Sequence, residues 1–237
     1  HMCLLLFKPA GKSVPFEYIE NAAAANPDGM GLSFADGDKV HIKKNIKWGV
    51  QEFADEIDKL EDFPLIGHFR LASLGSVCQA NLHPFPLPKQ WTAGHNGMID
   101  TKDLNVRGDE TDTSAFLREV VAPIIKRGAD LTSRNILSSI EARVGNYNKL
   151  AFLHGSGEYG IANEDCGLWR DGVWYSNYSF ENYEYSFQQE YKSTELFKYN
   201  SEELECSYCG RLTEGEFFIH GLTMDCVCEE CERNYFI

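Results

Sequence analysis

The sequence predicts an α+β fold with helices packed on antiparallel sheets. Three observations carry this. Strand-like runs come first, two helical segments follow after residue 113, and four more strand-like runs follow those. Two of the joints between runs carry Asp-Gly (Asp36-Gly37 and Asp171-Gly172), a hairpin signal. Two further segments, 14–26 and 48–60, place their apolar residues at helical spacing.

Residues 3–7 are short and apolar, as in a buried strand. In 14–26, Phe16, Ile19 and Ala23 fall on one helical face, and Pro27-Asp28-Gly29 stops the helix. Segments 31–35 and 39–44 form the first hairpin. In 48–60 the apolar side is Trp48, Phe53, Ile57 and Leu60. Strands are expected at 64–70 and 91–95. Segment 113–127 is a helix interrupted or kinked by Pro123, and 132–144 is a second. The last four strands are 149–153, 158–162, 167–170 and 173–177. Residues 178–200 show no clear period and read as a connector. A composition shift toward Cys and Glu places a boundary near residue 200, giving domains over 2–197 and 201–237.

The chain has 237 residues and is 43% hydrophobic and 24% charged, enough to bury a core and unlike a disordered chain. No stretch approaches the roughly 18 apolar residues of a membrane span. The net charge of −14 repels phosphate backbones, so nucleic acid is not an expected partner. The basic cluster Lys39, Lys43, Lys44 and Lys47, with His41, alternates like a solvated strand face. No secretory signal is visible, and a reducing, cytoplasmic setting is expected. His1-Met2 reads as a cloning remnant ahead of a native start at Met2, which would make Cys3 the second codon.

Eight cysteines are unevenly placed, five of them in the last 32 residues. Cys206-x2-Cys209 and Cys228-x2-Cys231 are separated by residues 210–227, a pattern expected of a four-thiolate, structural zinc ribbon. Cys226 and His220 are alternative ligands. So short a segment cannot bury enough apolar surface to fold alone, and the metal would supply the missing free energy. Residues 201–237 carry nine acidic and two basic side chains, so a protein surface is the expected neighbour.

Five further segments occur in order after Cys3. They are Asn26-Pro27-Asp28-Gly29-Met30-Gly31, Gly67-His68-Phe69-Arg70-Leu71-Ala72-Ser73-Leu74-Gly75, Gly94-His95-Asn96-Gly97-Met98-Ile99 and Thr111-Asp112-Thr113, with Asn81-Leu82-His83-Pro84-Phe85 between the second and third. This ordered set resembles the class II glutamine amidotransferases, which are N-terminal-nucleophile hydrolases. The resemblance covers roughly residues 3–180 and implies a four-layer αββα sandwich. It implies Cys3 as nucleophile, with its own α-amino group as general base. It implies an oxyanion hole from the Asn96 side chain and the Gly97 N–H. Arg70 would bind the glutamine α-carboxylate, Asp112 the α-ammonium, and His83 would shape the pocket. Four positions depart from the usual pattern: Leu71 and Ser73 in Leu71-Ala72-Ser73 for Trp-Ala-Thr, Ser114 for an acidic residue, and Thr101 for Asn.

The implied activity is hydrolysis of the glutamine side-chain amide, with ammonia supplied to an acceptor on a partner protein, since the chain has no room for a synthase domain. Two alternatives stay open: an amidohydrolase on another γ-glutamyl or small-peptide amide, and a non-catalytic binding protein on the same fold. With His1-Met2 attached, the nitrogen of Cys3 is an amide and not a base, so this form is expected to be inactive.

Overall fold

The computed structural model describes residues 3–72 and 75–181 with their side chains, and the backbone of three strands beyond them. The chain divides into two compact units, His1–Asn182 and Tyr183–Ile237.

In the first unit, β1 (Leu4–Lys8), β2 (Met30–Ala35), β3 (Val40–Asn45) and β4 (Leu65–Phe69) join two late strands, β9 (Leu168–Arg170) and β10 (Val173–Tyr175). The order is β3-β2-β4-β1-β10-β9, every neighbour antiparallel. A second antiparallel sheet runs β5-β6-β7-β8, from β5 (Phe85–Leu87), β6 (Trp91–Asn96), β7 (Lys149–His154) and β8 (Tyr159–Ala162). The three-residue β5 is too short to announce itself by alternation, and the sequence reading missed it.

Three apolar clusters define four layers. Helices α1 (Phe16–Ala25) and α2 (Val50–Asp58) bury Ile19, Ala22, Phe53 and Ile57 against Leu4, Leu6 and Phe69. On the far side, Phe116, Ile125, Leu137 and Ile140 pack on Leu150 and Phe152. Between the sheets lie Leu5, Phe7, Ile66, Ala151, Leu153 and Trp174. Strand β1 therefore feeds two cores at once. Successive side chains of a strand point to opposite faces, so Leu4 and Leu6 meet the helices while Leu5 and Phe7 meet the second sheet. This is the αββα arrangement, and it explains why residues 3–7 read as one apolar run and not an alternation.

The helix expected at 113–127 is built in three pieces: α3 (Asp112–Phe116), a π-turn (Leu117–Val121) and α4 (Ala122–Lys126). Pro123 sits in the first turn of α4, where a missing N–H is tolerated. Helix α5 (Arg134–Val144) ends on Gly145 at φ 80°, the left-handed conformation that favours glycine. Of the basic cluster, His41, Lys43 and Lys44 lie on β3, an edge strand. Its Lys43 pairs with Glu56 at 2.6 Å, whereas Lys44 is half-buried and donates to the Leu82 carbonyl at 2.8 Å. Among the described residues, no helix is long and apolar enough to cross a membrane.

In the second unit, β11 (Phe197–Glu205), β12 (Leu212–His220) and β13 (Asp225–Cys228) form an antiparallel sheet. Cys226 and Cys228 stand on β13, opposite Ile219 and Phe217 of β12. Cys206, Cys209 and Cys231 lie outside the described residues.

Candidate active site at the start of the first strand

Cys3 precedes β1 and is half-buried. Its thiol donates to the Leu71 carbonyl and accepts from the Leu71 N–H, each at 3.3 Å. Burial pushes the thiol pKa up; the Leu71 hydrogen bond and the Arg70 charge oppose this, and the Asp112 charge adds slightly to it. A raised pKa leaves the group as a neutral thiol at physiological pH, so attack requires a base at hand. The same balance shows that Arg70 and Asp112 lie within electrostatic reach of Cys3, although residues 70 and 112 are 42 positions apart.

Arg70 follows β4 and is 4% exposed. Its Nη1 donates to the Ser76 carbonyl at 2.9 Å and its Nη2 to the Gly75 carbonyl at 3.3 Å. The guanidinium thus organises the loop that follows it. Asp109 holds that loop from the other side: its carboxylate accepts from the Ser76 N–H at 2.9 Å and from the Ser76 hydroxyl. The early Asn26–Gly31 segment also borders this region, because Asp28 accepts from the Ala72 N–H at 2.7 Å. Asp112 opens α3 as its first residue. Its Oδ2 accepts from the Ile99 N–H at 2.7 Å, and its Oδ1 from the Thr113 N–H at 2.8 Å.

Asn96 ends β6 and is fully buried. Its Nδ2 donates to Ser176 Oγ at 2.9 Å, and its Oδ1 has no partner. Gly97 follows at φ 142°, and a Cβ there would lie 2.9 Å from Asn148 Cα. Both facts exclude a side chain at this position. Gly94 on the same strand allows a close approach to β1, since its Cβ would meet Ile66 at 3.1 Å and overlap Leu5.

Behind Asn96 and Gly97 lies a set of buried polar groups that the sequence did not reveal. Asn148 Nδ2 donates to the Val144 carbonyl at 2.6 Å, which turns Oδ1 toward His95 Nε2 at 2.9 Å. An oxygen acceptor there makes Nε2 the protonated nitrogen of a neutral ring. Nδ1 then accepts from Thr113 Oγ1 at 2.7 Å. His68 Nε2 and His83 Nδ1 reach the His95 carbonyl at 3.2 and 3.0 Å, with the His68 and His83 rings 4.2 Å apart. Burial drives all three histidines toward neutrality, His68 down to about 3. His83 is therefore placed in a buried cluster against the backbone of β6, with its ring satisfied there.

The turn after β10 also reaches the site. Ser176 Oγ accepts from the Leu5 N–H at 2.9 Å, and Asn177 Nδ2 donates to the Cys3 carbonyl at 2.9 Å. In one dimension these two residues are an unremarkable Ser-Asn at a strand end. Of the zinc-ligand set only Cys228 stands on a described strand, and among the described residues no cluster of His, Cys, Asp or Glu could hold a metal.

No family model matches the chain. An amidophosphoribosyltransferase of Methanocaldococcus jannaschii is 28% identical over 141 residues, covering 54% of this chain and 30% of that protein. The B. subtilis glutamine phosphoribosylpyrophosphate amidotransferase, solved with ADP and GMP, aligns with 99% of this chain and 52% of its own at a TM-score of 0.50 and 16% identity. A glutamine aminotransferase class-II domain protein from Silicibacter pomeroyi aligns with 65% of this chain and 73% of its own, at a TM-score of 0.31 and 14% identity. The chain thus spans about half or less of the first two proteins. It shares the mixed α+β, antiparallel-sheet fold of the B. subtilis amidotransferase.

Proposed function

We propose that the first unit is a class II glutamine amidotransferase domain that hydrolyses the side-chain amide of glutamine. The observation that carries the reading is that Arg70 and Asp112 both act electrostatically on Cys3 at the start of β1. Its support from relatives is the fold and the sequence similarity to amidotransferases.

In this reading a free α-amino group on Cys3 takes the thiol proton, directly or through a water. A reference pKa near 8 leaves that amine partly neutral at physiological pH. The sulfur attacks the amide carbon, and the oxygen becomes an oxyanion facing the Asn96 side-chain amide and the Gly97 N–H. The proton passes to the leaving nitrogen, ammonia departs, and a γ-glutamyl thioester remains on Cys3. Water then cleaves the thioester to glutamate and restores the thiol. Arg70 binds the α-carboxylate and Asp112 the α-ammonium, which positions the reacting carbon. His83 acts from behind β6, through the backbone of His95. The acceptor of the ammonia is assigned to a partner protein.

In the second unit, Cys206, Cys209, Cys228 and Cys231 would hold a structural zinc. Four thiolates suit zinc and complete its tetrahedron. The ion would contribute folding free energy and no catalytic step, and the acidic composition of residues 201–237 suits protein docking.

The test is glutamate release by three preparations: Cys3 freed as the first residue, the chain with His1-Met2, and a freed-chain Cys3→Ala control. Release from the first alone is expected. Equal rates from the first two would sink the α-amine mechanism.

A further inference from the structure

We propose that Ser176 is a positioning residue that sets which end of the Asn96 amide is left free to meet the oxyanion. This rests on the glutamine-hydrolysing reading above and assigns a role to a residue that reading does not use.

Ser176 is fully buried and has little freedom. Its N–H donates to the Leu5 carbonyl at 2.9 Å, and its Oγ accepts from the Leu5 N–H at 2.9 Å. Both backbone groups of Leu5, two residues from the nucleophile, are therefore taken by this one side chain and its backbone. The next residue, Asn177, holds the Cys3 carbonyl at 2.9 Å. The second group at Ser176 Oγ is the Asn96 amide at 2.9 Å. One turn thus ties the nucleophile strand to the oxyanion strand of the other sheet.

A hydroxyl has one proton and two acceptor positions. The Leu5 N–H fills one acceptor position. With Asn96 Nδ2 against Ser176, the second is filled as well. The hydroxyl proton then has no acceptor among the described residues, and Asn96 Oδ1 is buried without a partner. Two buried groups are left unmet, and each carries a desolvation cost. The oxygen and nitrogen of an amide are nearly equal in shape, so a half-turn about Cβ–Cγ fits the same space. In that arrangement Ser176 donates to the Asn96 carbonyl while accepting from Leu5, and its hydrogen bonding is complete. The amide nitrogen, with both N–H groups, takes the unpartnered position. The free group is then a donor, which is what an oxyanion needs. Ser176 selects this arrangement because it has a proton to give; an alanine or a plain acceptor could not.

The test has two arms. Neutron diffraction from deuterium-exchanged crystals of the wild-type chain reads the amide directly. The expected map has the Ser176 deuteron on Asn96 Oδ1 and the ND2 group turned away; ND2 against Ser176 overturns the proposal. The second arm is a cycle of Ser176→Ala, Asn96→Ala and the double variant on chains with Cys3 freed. Ser176→Ala is expected to lower kcat for glutamate release about tenfold to a hundredfold, with KM within about twofold. The iodoacetamide alkylation rate of Cys3 should not change. In the Asn96→Ala background, Ser176→Ala should cost nothing further. A full additional loss there means a purely structural role and overturns the proposal. Wild-type protein with the expected neutron map but no glutamate release would instead remove the glutaminase reading and leave the Ser176–Asn96 assignment standing.

Discussion

The two sides of the candidate site are held by different means. The proposed oxyanion corner, Asn96 and Gly97, is backed by Ser176, Asn148 and three histidines, all buried, with apolar clusters on both faces of its sheet. The Arg70 side is a loop over residues 75–81, held by Asp109, Asn81 and backbone carbonyls, with much of its surface exposed. Buried hydrogen bonds are costly to break, whereas exposed ones trade against water. On the proposed mechanism, geometry is fixed where charge would develop and the frame is more yielding where the amino-acid head group would bind.

Gly97→Ala should break the corner hardest. The added Cβ meets Asn148 at a backbone angle that disfavours any side chain. We expect kcat to fall about a hundredfold or more, as for loss of an oxyanion donor. Urea unfolding should also show a loss of about 2–3 kcal/mol.

Acid should come next. His68, His83 and His95 are held neutral when folded and gain protons on unfolding. With folded pKa values below the unfolded one, the unfolded state binds more protons, so stability falls as the pH falls. The support is complete above about pH 6.5 and is lost progressively as pH drops from there toward about 3 for His68. Each fully depressed histidine contributes a slope of about 1.4 kcal/mol per pH unit. Urea midpoints at pH 7, 6 and 5 measure it; a flat profile would refute the buried neutral cluster.

Asn148→Ala removes the acceptor of His95 Nε2 and should cost about 1–3 kcal/mol, with kcat reduced more than KM is raised. The smallest effect is expected on the loop. Asp109→Ala frees Ser76 and should raise KM for glutamine about threefold to tenfold, leaving kcat nearly constant and stability lower by about 1 kcal/mol. If Asp109→Ala lowered kcat as far as Gly97→Ala, the contrast between the two sides would fail.

Much of the frame was legible in one dimension. The Asp-Gly hairpins, the amphipathic faces of α1 and α2 and the buried β1 all follow from local pattern. Local pattern failed where a neighbour decided the outcome. The π-turn before Pro123 depends on how that helix packs, and β5 exists only by pairing with β6. The ordered motifs also singled out Cys3, Arg70, Asn96, Gly97 and Asp112 as candidates. They did not expose His83 as part of a histidine cluster, because its neighbours His68 and His95 come from other strands.

The sequence by itself determined which segments become strands and helices, which residue types could do the chemistry, and the paired cysteines near the end of the chain. Only the tertiary structure decided what supports those residues. Ser176 meets Leu5 across 171 positions, and Asn177 meets Cys3 across 174. No periodicity or spacing encodes such contacts. They arise because β10 closes the first sheet beside β1, bringing one end of the unit against the other.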